Sequence, residues 1–258
     1  QRVSISVVVP AFNEPEMTCQ CLETVTTALK EANLFESSEV ILADDASDDE
    51  RFSSFREVQG LYINRSDNNV GFIKNCNAAA EIAKGDMLLF LNNDVLLERN
   101  CIKHLTYALK NCADAGAVGP RLIYPSGVLQ EAGTMLNANG TARMVGLGDD
   151  PLKPQYAFTR PVDYISGACL LTFKSHFSKI GGFSEDYAPM YYEDADFALK
   201  LQESGKRCYY VGEAFAYHEL SATTSKSGKY NKLSLINKNR SKFLKRWRRK
   251  LLELNAPK

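Results

Sequence analysis

The apolar positions form short runs separated by stretches of helical spacing. Ile5-Ser6-Val7-Val8-Val9 reads as a buried strand ended by Pro10, and Met17, Cys21, Val25, Ala28 and Leu29 then recur at helical intervals over residues 16–32. Val40-Ile41-Leu42-Ala43 predicts a second strand running into the acidic turn Asp44-Asp45-Ala46-Ser47-Asp48-Asp49, and Leu61-Tyr62-Ile63 a short third one. A helix over 72–83 leads through Gly85 into the strand Met87-Leu88-Leu89-Phe90-Leu91, and another helix is expected over 98–110. Apolar strands alternating with helices predict an α/β fold with a mostly parallel sheet covered on both faces. Ligands of such sheets bind beyond the carboxyl ends of the strands.

The pattern then changes. Ala117-Val118, Leu122-Ile123-Tyr124 and residues 128–135 are short, with Pro125 and Gly127 between them, and read as hairpins added to the sheet. Residues 137–161 hold Gly140, Gly146, Gly148, Pro151, Pro154 and Pro161 with little periodicity, which predicts a flexible loop near the site. A strand over 169–173, a helix over 194–203 and strands over 207–211 and 214–217 follow. In the tail, Leu233, Ile236, Phe243, Leu244, Trp247, Leu251 and Leu254 fall near one helical face among lysines and arginines. The chain therefore divides into a domain over 1–225 and a basic amphipathic helical extension over 226–258.

Composition narrows the class. With 258 residues and 45% apolar content, one domain can bury a substantial core without disulfides or structural metal. Seven cysteines, an odd number without zinc spacing, favour a reducing compartment. No apolar run approaches the roughly 20 residues that span a bilayer, and no secretory signal is recognisable, so the expected place is the cytoplasm. The chain opens on Gln1 rather than Met, as a piece of a longer protein would. Its 31 basic and 31 acidic residues cancel, yet 226–258 holds twelve Lys/Arg against Glu253 alone, leaving that segment +11 and the rest −11. An acidic body argues against nucleic acid as a partner. The basic tail fits either an anionic membrane surface, which would make the protein peripheral on the inner leaflet, or the acidic body itself.

The acidic residues gather at the ends of elements. Asp44 and Asp45 follow the second strand, Asp94 the fourth, and Glu193, Asp194 and Asp196 open a late helix. One such carboxylate is commonly a cap or turn residue; a parallel sheet would bring the first two groups to one edge, and three such groups in one chain point to a site. The ordered segments Val7-Val8-Val9-Pro10-Ala11-Phe12-Asn13-Glu14, Ala43-Asp44-Asp45-Ala46-Ser47, Asn69-Val70-Gly71-Phe72, Phe90-Leu91-Asn92-Asn93-Asp94, Gly181-Gly182-Phe183, Met190-Tyr191-Tyr192-Glu193-Asp194-Ala195-Asp196 and Tyr217-His218 resemble family 2 glycosyltransferases of the GT-A fold. The similarity is to bacterial enzymes that add rhamnose and related sugars to surface polysaccharides such as O-antigen or capsule.

That resemblance implies roles residue by residue. The loop after the first strand, with Pro10, Phe12 and Glu14, would hold the nucleotide, and Asp44 would accept a hydrogen bond from the base. Lys74 would lie near the phosphates, and Asn77 would bond base or backbone. Asn92-Asn93-Asp94 matches the family's Asp-x-Asp metal motif with Asn in its first position. Asp94 and the late His218 would bind Mn²⁺ or Mg²⁺, while Asn92 and Asn93 would serve the donor. Asp194 matches the catalytic base, with Glu193 beside it, and Tyr191, Tyr192 and Asp196 would meet the acceptor, with Trp247 as a further aromatic able to stack on a sugar.

The activity implied is an inverting, metal-dependent transfer of a sugar from a dTDP- or UDP-sugar to a glycan hydroxyl, the acceptor being free or lipid-linked. The loop Ala11-Phe12-Asn13-Glu14 lacks both the Gly-rich, Arg-containing turn of a nucleotide-sugar pyrophosphorylase and the G-x-G-x-x-G turn of a dinucleotide enzyme. The alternative is a non-catalytic glycan- or nucleotide-sugar-binding domain with a degenerate metal site, for which Asn92 is the main support.

Overall fold

The computed structural model describes residues 4–219 and 231–256; the expected boundary between residues 225 and 226 lies outside them. Five strands and three helices make the first half: β1 (Ile5–Ala11), α1 (Pro15–Glu31), β2 (Ser38–Asp44), β3 (Leu61–Arg65), α2 (Phe72–Ile82), β4 (Met87–Leu91), β5 (Val95–Leu97) and α3 (Cys101–Asn111). The second half runs β6 (Ala115–Ile123), β7 (Leu129–Glu131), β8 (Thr134–Leu136), β9 (Ala142–Met144), β10 (Arg160–Val162), β11 (Cys169–Phe173), α4 (Lys174–Lys179), α5 (Glu193–Glu203), β12 (Arg207–His218) and α6 (Lys232–Leu254).

The main sheet has the order β10-β12-β6-β11-β4-β1-β2-β3, with β5 and β7 on its margin. Strands β3, β2, β1 and β4 are parallel, and β11 enters antiparallel between β4 and β6. Side chains alternate across β1: Ile5, Val7, Val9 and Ala11 face a core shared with α1 and α3, while Val8 joins the opposite core with α2, α5 and α6. From β1 the chain goes to β2 and β3 on one side and to β4 on the other, so a crevice opens between the carboxyl ends of β1 and β4.

Two strands run through prolines that the sequence reading treated as ends or gaps. Pro10 lies inside β1, at a point where pairing with β4 has stopped at Val8 while pairing with β2 continues to Ala11. Pro120 lies inside the nine-residue β6, beyond the two residues that pair with β11. In each case the ladder on one side has ended, so a missing N–H is tolerated. The strands expected over 207–211 and 214–217 are one strand, β12, with a register shift between Val211 and Phe215.

Residues 137–161 are not a structureless loop. They contain β9, paired with β8, and a 3₁₀ turn at Pro154–Tyr156. The buried Arg121 guanidinium donates to the carbonyls of Pro151, Tyr156 and Gly212 and binds the Tyr210 hydroxyl, fixing the segment to the sheet.

The basic C-terminal helix docks on the body. Its buried row is Leu235, Asn239, Phe243, Trp247 and Leu251, spaced four residues apart, rather than the face through Leu233, which is 72% exposed. Phe243, Trp247 and Leu251 join the core that contains Tyr187 and Phe197. Fully burying a side chain such as Phe243 or Leu251 stabilises by roughly 1.5–3 kcal/mol, so this apolar row is satisfied without lipid. Among the described residues no helix is long and apolar enough to cross a membrane.

Candidate functional site

The crevice is built from the ends of β1, β2 and β4. After β1, Asn13 and Glu14 adopt left-handed backbone, and Pro15 starts α1. The Asn13 amide reaches the next loop, donating to Asp48 Oδ1 at 2.6 Å and accepting from the N–H groups of Asp48 and Asp49. Phe12 is held half-buried at this rim. At the end of β2, Asp44 is buried; its Oδ1 accepts from the Ser47 N–H at 2.8 Å and its Oδ2 meets the Arg65 guanidinium. A cavity of about 220 Å³ opens beside this pair, lined in part by Ser47, Asp48, Ser53 and Arg56. Asp45 faces the other way and binds the N–H groups of Val70 and Gly71 at 2.7 and 2.9 Å, anchoring the start of α2.

After β4 the three residues part. Asn93 turns inward and donates to Thr18 of α1 at 3.0 Å, which makes it a strut rather than a donor contact. Asn92 binds the Ala168 carbonyl through its backbone, and its side-chain oxygen is buried without a hydrogen-bond partner. Asp94 is 6% exposed, its Oδ1 also lacks a hydrogen bond, and His218 Nε2 lies 3.4 Å from it. His218 is delivered by the last residue of β12, whose Tyr217 and Ala216 pair with β5 just past Asp94. Gln130 on β7 contacts His218 Nδ1 at 3.1 Å. The Gln130 Oε1 is itself buried and unpartnered; turning that amide over would let it accept from Nδ1–H and leave Nε2 free to bind a cation.

On the far side of residues 167 and 168 stands Asp194, which accepts from the Gly167 N–H at 3.2 Å and from the Ala195 N–H at 2.8 Å. Tyr191 and Tyr192, both left-handed at φ 75° and 76°, deliver it, and three acidic residues occupy the first turn of α5, where the helix dipole favours them. Burial raises the carboxyl pKa of both Glu193 and Asp194, and Asp194 raises Glu193 further. Backbone N–H donors oppose the rise at both carboxyls; Asp194 also keeps an opening to solvent, whereas Glu193 Oε2 is buried without a partner.

Residues 6–181 match Glycosyl transferase family 2, more than half of the chain. The chain belongs to that family. Over 216 residues it is 28% identical to an N-acetylglucosaminyl-diphospho-decaprenol L-rhamnosyltransferase of Mycobacterium tuberculosis, covering 72% of this chain and 68% of that one. It is also 25% identical over 228 residues to the O-antigen biosynthesis protein RfbC of Myxococcus xanthus, covering 85% of this chain but only 17% of that protein. The fold is shared with GalNAc-T7 solved with UDP, GalNAc and Mn2+ (TM-score 0.66, 18% identity, 84% of this chain and 44% of that one). It is shared too with the mannosyltransferase PcManGT of Pyrobaculum calidifontis in complex with GDP-Man and Mn2+ (TM-score 0.62, 18% identity, 87% and 59%). The chain is a glycosyltransferase domain with the GT-A fold.

Within this glycosyltransferase the expected site residues divide. Pro10 lies in β1 with Phe12 and Glu14 just after it, Asp44 ends β2, Asn92 and Asp94 follow β4 with His218 3.4 Å from Asp94, and Glu193 and Asp194 open α5 beside Gly167. Asn77 uses both ends of its amide on the Phe183 backbone, at 2.8 and 3.1 Å, the backbone role of the two expected for it. Lys74 turns to Glu185, 3.8 Å away. Asp196 is fully buried, accepting from Tyr187 and from Trp247 Nε1, with Lys200 and Arg246 as ion partners. It anchors α6 and cannot touch an acceptor, and Trp247, buried against it, cannot stack on a sugar. Tyr192 is half-buried, its hydroxyl on the Gly140 carbonyl.

The sequence reading missed Arg65, Gly167, Gln130 and Glu131. The last two are visible only as adjacent polar residues in the otherwise apolar stretch 128–132. Glu131 is buried, accepts from Thr134 Oγ1 at 2.7 Å, and lies within electrostatic reach of both Asp194 and His218. Burial, with the Asp194 charge, raises its pKa from 4.5 to about 7. The folded state thus retains a proton that the unfolded chain releases, and the Glu131 contribution to stability is fully present at acid pH and is lost as pH rises from about 4.5 to 7. In EDTA, which keeps cations off the neighbouring His218, Glu131→Gln should shrink the fall in melting temperature between pH 5 and pH 8. An unchanged fall would assign the pH dependence to other groups.

Proposed function

We propose that the protein is an inverting, metal-dependent transferase that moves a sugar from a dTDP- or UDP-linked donor to a hydroxyl of a growing bacterial surface glycan. The observation that carries this reading is the buried, unpartnered Asp94 Oδ1 beside His218 Nε2, with Asp194 across residues 167 and 168. One carboxylate and one imidazole suit Mn²⁺ better than Mg²⁺, which prefers oxygen alone. Among the described residues no third His, Cys, Asp or Glu joins them, so diphosphate oxygens, water and the Asn92 Oδ1 would complete the shell. A cation there neutralises charge on the departing nucleoside diphosphate.

In this reading Phe12 packs on the base, and Asp44 accepts from the base N–H once Arg65 yields one of its bonds. Asp194 takes the proton of the acceptor hydroxyl as its oxygen attacks the anomeric carbon, while the bond from that carbon to the diphosphate breaks on the opposite face. The Mycobacterium relative's name supports rhamnose as the sugar and a lipid diphosphate as the carrier of the acceptor; the Myxococcus relative's name supports an O-antigen product.

Thermal shifts test the donor half. Because a ligand that binds only the folded state stabilises it in proportion to the logarithm of its saturation, dTDP or UDP with Mn²⁺ should raise the melting temperature, and the same nucleotides in EDTA should do so far less. No shift with any nucleoside diphosphate would reject the reading.

A further inference from the structure

The helix α6 lies outside the family match at residues 6–181, yet it carries a buried polar residue that is aimed at the site. Asn239 is fully buried in the middle of the apolar row. Its Nδ2 donates to the carbonyls of Tyr187, Met190 and Tyr191 at 2.7, 2.9 and 3.0 Å. These carbonyls belong to the segment that ends in the left-handed pair Tyr191–Tyr192 and runs directly into Glu193 and Asp194. A left-handed tyrosine costs free energy that its surroundings must offset, and here two stand in succession.

The segment is held from three sides. On one, Gly71 at the start of α2 approaches so closely that a Cβ on it would lie 2.4 Å from Pro189 Cβ, and the Ile73 N–H donates to the Pro189 carbonyl at 3.1 Å. On another, the Tyr192 hydroxyl donates to Gly140. On the third, α6 supplies Asn239, then Phe243 with its ring 5.1 Å from Tyr192, then Trp247 bonded to Asp196 in the first turn of α5. Of these three α6 residues Asn239 alone bonds the backbone just ahead of the two carboxylates, at three carbonyls where Ile73 meets one.

We propose that Asn239 is a positioning residue for the transfer reaction: its amide fixes the backbone of residues 187–191 and thereby the place and direction of the Asp194 carboxylate. The C-terminal helix is then a working part of the acceptor side of the site. This rests on the reading of Asp194 as the base, and two measurements keep the failure of each distinguishable.

The first compares Asn239→Ala and Asn239→Asp with wild type in hydrogen exchange of the free protein. Amides of residues 188–194 should exchange at least tenfold faster in both variants, while amides around Asp44 and Asp94 keep wild-type rates. Asn239→Asp preserves size but replaces the donor by an acceptor facing three carbonyls, so it should be no milder than Ala. If Asp were wild-type, the amide would be filling space only and the proposal would fall. The second measurement follows nucleoside diphosphate release from dTDP-rhamnose and UDP-sugars, counted per folded molecule. Turnover should drop about tenfold to a hundredfold, with the dissociation constant for nucleoside diphosphate and Mn²⁺ within twofold of wild type. Unchanged turnover per folded molecule, or donor affinity lost in step with it, would overturn the positioning role. A wild type that turns over none of these donors would fault the assigned reaction instead, and the exchange result would still decide whether Asn239 holds the loop.

Discussion

Replacing Asp194 by Asn is expected to lower turnover by about 10² to 10⁴, the scale of general-base catalysis, while leaving nucleoside diphosphate affinity within a few-fold of wild type. The expectation follows from the separation of the two halves of the crevice. Asp194 is tied to Gly167 and Ala195, and the proposed nucleotide side consists of Asp44, Asn92, Asp94 and His218. An Asn side chain keeps the shape and one acceptor oxygen, so the start of α5 should survive. It cannot take a proton from an alcohol. The measurement is steady-state product release at saturating donor, paired with calorimetry. Wild-type turnover in Asp194→Asn would move the base to Glu193 or Glu131, the two other buried carboxylates near it.

Asp94→Ala should produce the second large effect, and it should be conditional. With Mn²⁺ present, affinity for the donor diphosphate should fall by one to two orders of magnitude or more, since the variant loses the anionic ligand of the proposed cation site. In EDTA, wild type and variant should bind alike and weakly. His218→Ala should show the same pattern at smaller amplitude. Equal wild-type affinity with and without divalent cation would remove the metal from the mechanism and return Asp94 and His218 to a structural pair.

The parts of the fold that were legible beforehand are those where local pattern and burial coincide. The apolar runs of β1, β2 and β4 and the spacing of α1 each follow from one face or two faces being covered, and Asp44 at the end of β2 and Asp94 just after β4 stand where a parallel sheet converges. Long-range packing governs what stayed hidden. Pro10 and Pro120 look like strand breakers until the neighbouring strand is known to have ended. Residues 137–161 read as a loop because the guanidinium that organises them, Arg121, is far away in sequence. Asp196 has the same sequence signature as Asp194; only the docking of Trp247 on it distinguishes an anchor from a group that meets substrate. The tail gave equal support to a membrane surface and to the body; its apolar row packs on the body, where Asn239, a polar residue in that row, meets three carbonyls of another element.

The central claim is that one crevice binds a nucleotide sugar through Asp44, Asp94 and His218 and transfers its sugar through Asp194. The measurement that bears on it most directly is nucleoside diphosphate release from dTDP-rhamnose and a set of UDP-sugars, with Mn²⁺ and a short-chain GlcNAc-diphospho-lipid as acceptor, run in parallel on wild type, Asp94→Ala and Asp194→Asn. The account predicts acceptor-dependent release from at least one donor by the wild type. Asp194→Asn should lose that release while still binding the nucleotide, and Asp94→Ala should lose it together with Mn²⁺-dependent binding. Release that continues undiminished in both variants, or a wild type that releases nothing from any donor, would contradict it.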